Sequence, residues 1–505
     1  MTFMKPYHAK NLNVGRWWLI PVLLLVSACQ DFLDQKPQGP LLQTSFPVIA
    51  EDALAATNAA YAALRNWHYN SGGYPILDIM SDDARKGSSP GDQFSSVGAY
   101  DNFSINTQQD GLDRWWSTVY QGIKNANVVI AYVPPITMDE GLKARYLAEA
   151  RFLRALYYFD LVRAWGGVPQ VLTPEPPLDL GRATIQEIYD NVIIPDLLFA
   201  KDNLPEQSTY LGNDLGRATK GAAKAYLAKV YLFLPVPDFV NAEKYAVEVI
   251  NSAQYILEAD FANATGVLGN FGTESVFEVG ARPNDGVENG GAQFANTQGI
   301  RGVPDRGWGF NRPSIDLINS FEANDPRKDA SIIFLGEVLD GVITQGDLTC
   351  PDTTKVNNVI VEIECYNQKV WTPGNSTPSQ WGHHRRLMRY ADVLLMAAEA
   401  LNENNNPGGA LIHLNEVRAR ARGGLGGILP DISETNKDLL REIILDERRH
   451  ELALEGHRFW DLIRTKKAAA VLVPLGYTAK YELLPIPQPQ IDLSQGRITQ
   501  NPGWN

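Results

Sequence analysis

Trp67, Trp308, Trp371 and Trp381 stand in stretches rich in Gly, Asn, Asp and Ser, whereas Trp115, Trp116, Trp165 and Trp460 fall at helical spacing, as core residues do. An indole in a loop suits one kind of chemistry in particular. A pyranose has a flat face of C–H bonds that packs on the electron-rich face of an aromatic ring. Its hydroxyls need fixed polar partners such as Asp, Asn, Gln or Arg. Tyr74, Phe94 and Tyr100 are further rings in such stretches, and Asp82-Asp83 with Arg85 and Lys86 is the most suggestive polar cluster. That cluster suits a ligand site and a solvated turn equally.

Bond-breaking chemistry needs other sets of residues. The chain has no Gly-x-Ser-x-Gly elbow and no His-Glu-x-x-His. His457 follows His450 seven positions on. On a helix two such residues are about 10.5 Å apart, too far to share one zinc ion at ~2 Å bond lengths. His383 and His384 are adjacent and diverge on any regular element. Gly423-Gly424-Leu425-Gly426-Gly427 follows a helical pattern, whereas phosphate loops follow strands, so it reads as a helix C-cap. These residues point to no catalytic centre, no metal and no cofactor. Carboxylates are abundant, however, and a glycosidase pair is defined by its separation in space, so a hydrolytic reading stays open.

The elements that must position these residues are mostly helical. Glu51 to Asn66 is Ala-rich, and Gly111 to Tyr132 carries apolar residues at helical spacing up to Pro134-Pro135. Thr137-Met138-Asp139-Glu140 and Thr184-Ile185-Gln186-Glu187 fit capping boxes. The first of them opens a helix over Leu142 to Trp165, which Gly166-Gly167-Val168-Pro169 ends. Ala218 to Leu234 pairs with Asn241 to Gln254, Arg385 to Glu403 pairs with Ala410 to Arg422, and Leu439 to Lys467 is interrupted near Gly456. Such pairs predict a mainly α fold of irregular, tetratricopeptide-like helical hairpins, because no strict repeat overlays them. Three long insertions, residues 68–110, 258–312 and 340–382, interrupt the pattern, and ordered loops of that length are usually functional.

Cys29 follows Trp17-Trp18-Leu19-Ile20-Pro21-Val22-Leu23-Leu24-Leu25-Val26-Ser27-Ala28, with Lys5, Lys10 and Arg16 upstream. A positive region, a short apolar run and small residues make a signal peptide, and the run falls short of the roughly 20 apolar residues of a bilayer span. Val26-Ser27-Ala28-Cys29 looks like a bacterial lipobox. The reading is therefore a signal over residues 1–28, a lipidated tether over 29–50 and a single helical domain over 51–505. The formal net charge of −13 argues against nucleic acid as a partner. In an exported chain Cys350 and Cys365 are expected to pair as a disulfide, closing a small hairpin that turns at Asn357-Asn358. Such a loop gains roughly 3 kcal/mol from the crosslink.

Several blocks, in order along the chain, resemble the SusD/RagB family of surface nutrient-binding lipoproteins of Bacteroidetes. They include Cys29-Gln30-Asp31-Phe32-Leu33-Asp34, Ala148-Glu149-Ala150-Arg151-Phe152-Leu153-Arg154 with Trp165-Gly166-Gly167-Val168-Pro169, and Asn324-Asp325-Pro326-Arg327. Arg389-Tyr390-Ala391-Asp392, Glu447-Arg448-Arg449-His450-Glu451, Gly456-His457-Arg458-Phe459-Trp460-Asp461 and Asn501-Pro502-Gly503-Trp504 complete the set. Asp392 stands where Glu is usual in the family, and Trp504 where Tyr is commoner. The resemblance implies helical hairpins on one side and loops on the other, a place on the outer face of the outer membrane, and no catalytic activity. It implies a lid over a SusC-like TonB-dependent transporter, to which a captured oligosaccharide is passed. It also implies that ligand binds at the loops after the first helix and at the insertion before the Asp-Pro-Arg block. By region that selects Asp83, Arg85, Tyr100, Asn102 and Trp308, with Trp371 and Trp381 behind them. The glycan is left open, a β-glucan being the first guess. RagB-type members take peptides, and that alternative stands beside a surface-anchored glycoside hydrolase.

Overall fold

Helix follows helix along most of the chain, each packed on the next. The computed structural model describes residues 46–70, 78–177, 179–282, 293–374 and 382–504. Its long helices are α1 (Ala50–Ala62), α2 (Asp110–Tyr132), α3 (Glu140–Trp165), α4 (Ile194–Asn203), α5 (Lys220–Phe233) and α6 (Phe239–Asn251). After a long insertion come α7 (Tyr390–Glu403), α8 (Pro407–Arg422), α9 (Lys437–Glu451) and the shorter α10 (Arg458–Arg464). Contacts run α1 to α2, α2 to α3 and so on in order through α8, and α9 returns onto α7. The mainly α fold of irregular hairpins expected from the sequence is the fold observed. All of it lies in one compact unit, Ile49–Asn505. No helix among the described residues is long and apolar enough to cross a membrane.

Local chemistry explains the helix limits. The Thr184 hydroxyl and the Glu187 carboxylate close a capping box. At the start of α3 the cap is Asp139, not Thr137: its carboxylate accepts from the Leu142 amide at 2.9 Å. A carboxylate also suits the positive end of the helix. Helix α5 is lined by Ala222, Ala225 and Ala228, all fully buried, which lets its neighbours approach closely. Helix α3 has neighbours on several sides and buries Phe152, Tyr157, Tyr158, Phe159 and Trp165 around its circumference. Gly423 ends α8 in the left-handed region, at φ +57°.

Two further expectations fail here. Arg385–Arg389 is a strand, β8, and the helix begins only at Tyr390. It pairs antiparallel with β2 (Ser275–Val279), and its arginines are drawn into ion pairs with Glu278 and Glu274. Tertiary pairing overrides helical periodicity at this place. The second failure is the disulfide. Asn357 and Asn358, both at positive φ, do turn a hairpin of β5 (Thr353–Val356) and β6 (Val359–Ile363). Yet Cys350 and Cys365 are free thiols. Cys365 opens a separate strand, β7 (Cys365–Asn367), paired with β4 (Ile332–Phe334), and its thiol faces the Pro313 carbonyl in the core at 3.4 Å. The Cys350 thiol instead meets the Asp347 carboxylate at 3.5 Å. A backbone bond from Glu364 N–H to Asp352 C=O, 2.8 Å, closes the hairpin base.

Candidate functional site

The three insertions meet in one place, and Arg301 is where they meet. One guanidinium nitrogen donates to the Ser88 hydroxyl and the Asp92 carboxylate of the first insertion, at 3.1 and 3.0 Å. Its Nε donates to Asp347 of the third insertion at 2.7 Å. The Tyr366 hydroxyl donates to its backbone carbonyl at 3.0 Å. Burial alone would raise the Asp347 carboxyl. Hydrogen bonds from Thr349 and Arg301 outweigh that and hold it at about 2.

Backbone pairing completes the assembly. Strand β1 (Ala84–Gly87) lies antiparallel to β3 (Phe310–Pro313), and the Ser88 amide donates to the Gly309 carbonyl at 2.7 Å. The Lys86 ammonium donates to the carbonyls of Gly87, Ser89 and Asp92, which folds the loop after β1 around one cation. Gly302 approaches the third insertion so closely that an added Cβ would sit 2.0 Å from the Gly346 oxygen, and its φ of +91° favours glycine in any case.

On this frame stands Trp308. Its amide is tied to the Asn296 carbonyl at 2.8 Å, while Trp308 itself stays 38% exposed. The ring leans on half-buried Trp67, with centroids 5.3 Å apart and planes tilted by 58°. Trp371, also half-buried, packs against Ile300, Ile333 and Tyr366 under the same loop. The Arg306 guanidinium lies 5.9 Å from the Trp371 ring centre. The result is an indole surface with hydrogen-bonding groups at its edge, able to stack a flat apolar face and to donate to hydroxyls or anions.

The structure separates the residues selected from the sequence. Trp308 and Trp371 flank one loop. Trp381 and Tyr74 lie outside the described residues, as does Cys29. Asp83 and Tyr100 do not face a ligand: both are 0% exposed. Asp83 accepts from Arg449 at 2.7 Å and Asp82 accepts from Arg458 at 2.8 Å. Burial raises the Asp83 carboxyl against the pull of those arginines, and burial raises the Tyr100 phenol as well. The acidic cluster therefore fastens the first insertion to α9 and α10. Arg85 is partly buried, 3.8 Å from Asp101 and opposite Arg312 in the β1–β3 ladder. Asn102 is exposed, and its backbone carbonyl lies against Gly476. Among the described residues no group of three or more His, Cys, Asp or Glu side chains could hold a metal ion. Sequence reasoning passed over Arg301, Arg306 and the pairing of Trp67 with Trp308. The signal was the run Arg301-Gly302-Val303-Pro304-Asp305-Arg306-Gly307-Trp308-Gly309, in which glycines, two arginines and an indole share one loop.

Comparison with known proteins agrees with the architecture. A family model described as SusD family matches residues 273–504, and one described as starch-binding associating with outer membrane matches residues 31–232. SusD-like protein P2 of Formosa agariphila is 30% identical over 513 aligned positions, covering 96% of this chain and 98% of the relative. Among solved structures, a laminarin binding SusD-like protein is 29% identical with a TM-score of 0.73, over 90% of this chain and 100% of that one. Surface glycan-binding protein A from Bacteroides thetaiotaomicron, in complex with laminarihexaose, is 26% identical with a TM-score of 0.75 over the same shares. The chain belongs to the SusD family.

Proposed function

We propose that this chain is a surface glycan-binding lipoprotein. It is held at the outer membrane through Cys29, captures an oligosaccharide on the Trp67–Trp308–Trp371 face, and delivers it to a SusC-like TonB-dependent transporter. The observation that carries the reading is Trp308: an indole left partly exposed on a loop that Arg301 clamps from three directions. A rigid aromatic platform binds a sugar at little cost in ordering. The matched description, starch-binding associating with outer membrane, supports the membrane part of the reading. The transporter part rests on the resemblance drawn from the sequence, and two similar structures are of a laminarin binding protein and of a protein in complex with laminarihexaose. The binding is non-catalytic in this reading; the engagement of Asp82 and Asp83, the most suggestive acidic cluster, by Arg458 and Arg449 is in keeping with that.

Isothermal calorimetry of the mature chain with laminarin, starch, acidic oligosaccharides and peptides tests it. At least one saccharide is expected to bind, with loss of heat in the Trp67→Ala, Trp308→Ala double variant. Binding of peptides alone would transfer the face to the peptide-capturing alternative. Reducing-end release from a bound glycan would make the protein a hydrolase.

A further inference from the structure

Arg306 differs from its neighbours. Arg301 is neutralised by Asp92 and Asp347, Arg312 by Glu362, and Arg85 lies 3.8 Å from Asp101. Those acids are thereby occupied. Among the described residues Arg306 pairs with no carboxylate: its Nη1 donates to the Asp305 carbonyl at 3.1 Å, and its enclosed Nε has no hydrogen-bond partner there. The exposed Asp305 side chain does not pair with it either. The backbone around it is fixed, since the Arg306 amide donates to the Ile300 carbonyl at 2.8 Å. The guanidinium lies beside the Trp371 ring and two residues before the exposed Trp308. A half-buried cation of this kind, in a chain of net charge −13, has no counter-ion among the described residues, at a place where ligand would stack.

We propose that Arg306 makes this face selective for saccharides bearing an acidic group, either a uronate carboxylate or a sulfate ester. The inference rests on the glycan-binding reading. A guanidinium presents a planar fork that matches either anion with two parallel hydrogen bonds. Such charge-assisted bonds are roughly twice as strong as those to neutral hydroxyls. The indoles take the apolar ring face, and Arg306 takes the charge.

The test is calorimetry of the mature chain with laminarin, sulfated laminarin and oligogalacturonate. At least one acidic ligand is expected to bind more tightly than laminarin, with an advantage that shrinks as salt rises, and the arm that does so names the anion. Arg306→Gln should cut the ratio of acidic to neutral affinity about tenfold, the scale of one charge-assisted contact, and Arg306→Lys should keep part of it. Thermal melts confirm that the variants fold, and the ligand preference of the unaltered protein requires no variant. Laminarin binding as tightly as both acidic ligands, or an unchanged ratio in folded Arg306→Gln, overturns the inference and leaves the glycan reading standing. Failure of every saccharide removes both.

Discussion

Trp308 and Asp78 are single residues whose surroundings predict measurable behaviour. Stacking by a partly exposed indole is worth on the order of 1 kcal/mol, so Trp308→Ala should weaken saccharide binding about fivefold by calorimetry, with the melting temperature unchanged. Asp78 is buried beside Asp83 and accepts from the Gly456 amide at 2.9 Å. Burial first, and the Asp83 charge second, raise its carboxyl to about 7. The folded chain thus keeps a proton that the unfolded chain releases near pH 4. Stability from this group therefore falls as pH rises from about 4 to 7, by roughly 4 kcal/mol at most. Asp78→Asn, which mimics the protonated form, should raise the melting temperature at pH 8 and leave it nearly unchanged at pH 4. At this scale the sequence was partly legible. Trp308 could be found from its loop composition. Asp83 and Tyr100 were misplaced because their burial depends on partners such as Arg449, 366 residues away.

At the scale of elements, the loop carrying Trp308 is shaped by a close backbone approach and one arginine. Gly302→Ala would push a methyl group into the Gly346 oxygen and separate the second insertion from the third. The expected result is at least a tenfold loss of affinity and new protease cleavage within residues 299–309, with helical circular dichroism unchanged. Arg301→Ala should act in the same direction. Full retention of affinity in both variants would show that the loop needs no such clamp. The helices were legible because each carries its own periodicity, cap and stop, as Thr184 with Glu187 and Gly423 show. The hairpin at Asn357-Asn358 was legible from its turn, but the long-range strands were not, because β8 and β3 are strands only by virtue of partners more than a hundred and more than two hundred residues upstream. Composition places a thiol near a turn but cannot place it on one strand or the next, which is why the Cys350–Cys365 crosslink was wrongly expected.

At the scale of the molecule, a buried ion network joins the insertions to the helical array. Glu451 of α9 meets Arg327 at 3.4 Å and Arg389 at 3.0 Å and also pairs with Arg420, while Glu447 pairs with Arg327 and with Arg418 at 2.5 and 2.7 Å. Removing one member of a buried pair leaves its partner uncompensated, so Glu451→Gln should cost about 3–5 kcal/mol in denaturant unfolding. Burial opposes the ionised form of Glu451, but Arg420, Arg389 and Arg327 outweigh it and hold the carboxyl below the usual range, and Glu455 is likewise held at about 2. Their stabilisation is complete above about pH 4.3 and is lost as pH falls towards the folded values. Acid unfolding should therefore begin near pH 4 and start at higher pH in Glu451→Gln. A midpoint unmoved by that substitution would contradict the network's role.

The pairing of Asp82 and Asp83 with Arg458 and Arg449 also sets an order of events. A ribosome delivers the first insertion long before it delivers the two arginines that neutralise it, 376 and 366 residues later. Contacts of such long sequence separation form late. A chain stopped by a premature codon ahead of α9 would still wind its early helices, but it would carry two uncompensated carboxylates where its first insertion is fastened, and the saccharide binding proposed for it would be lost.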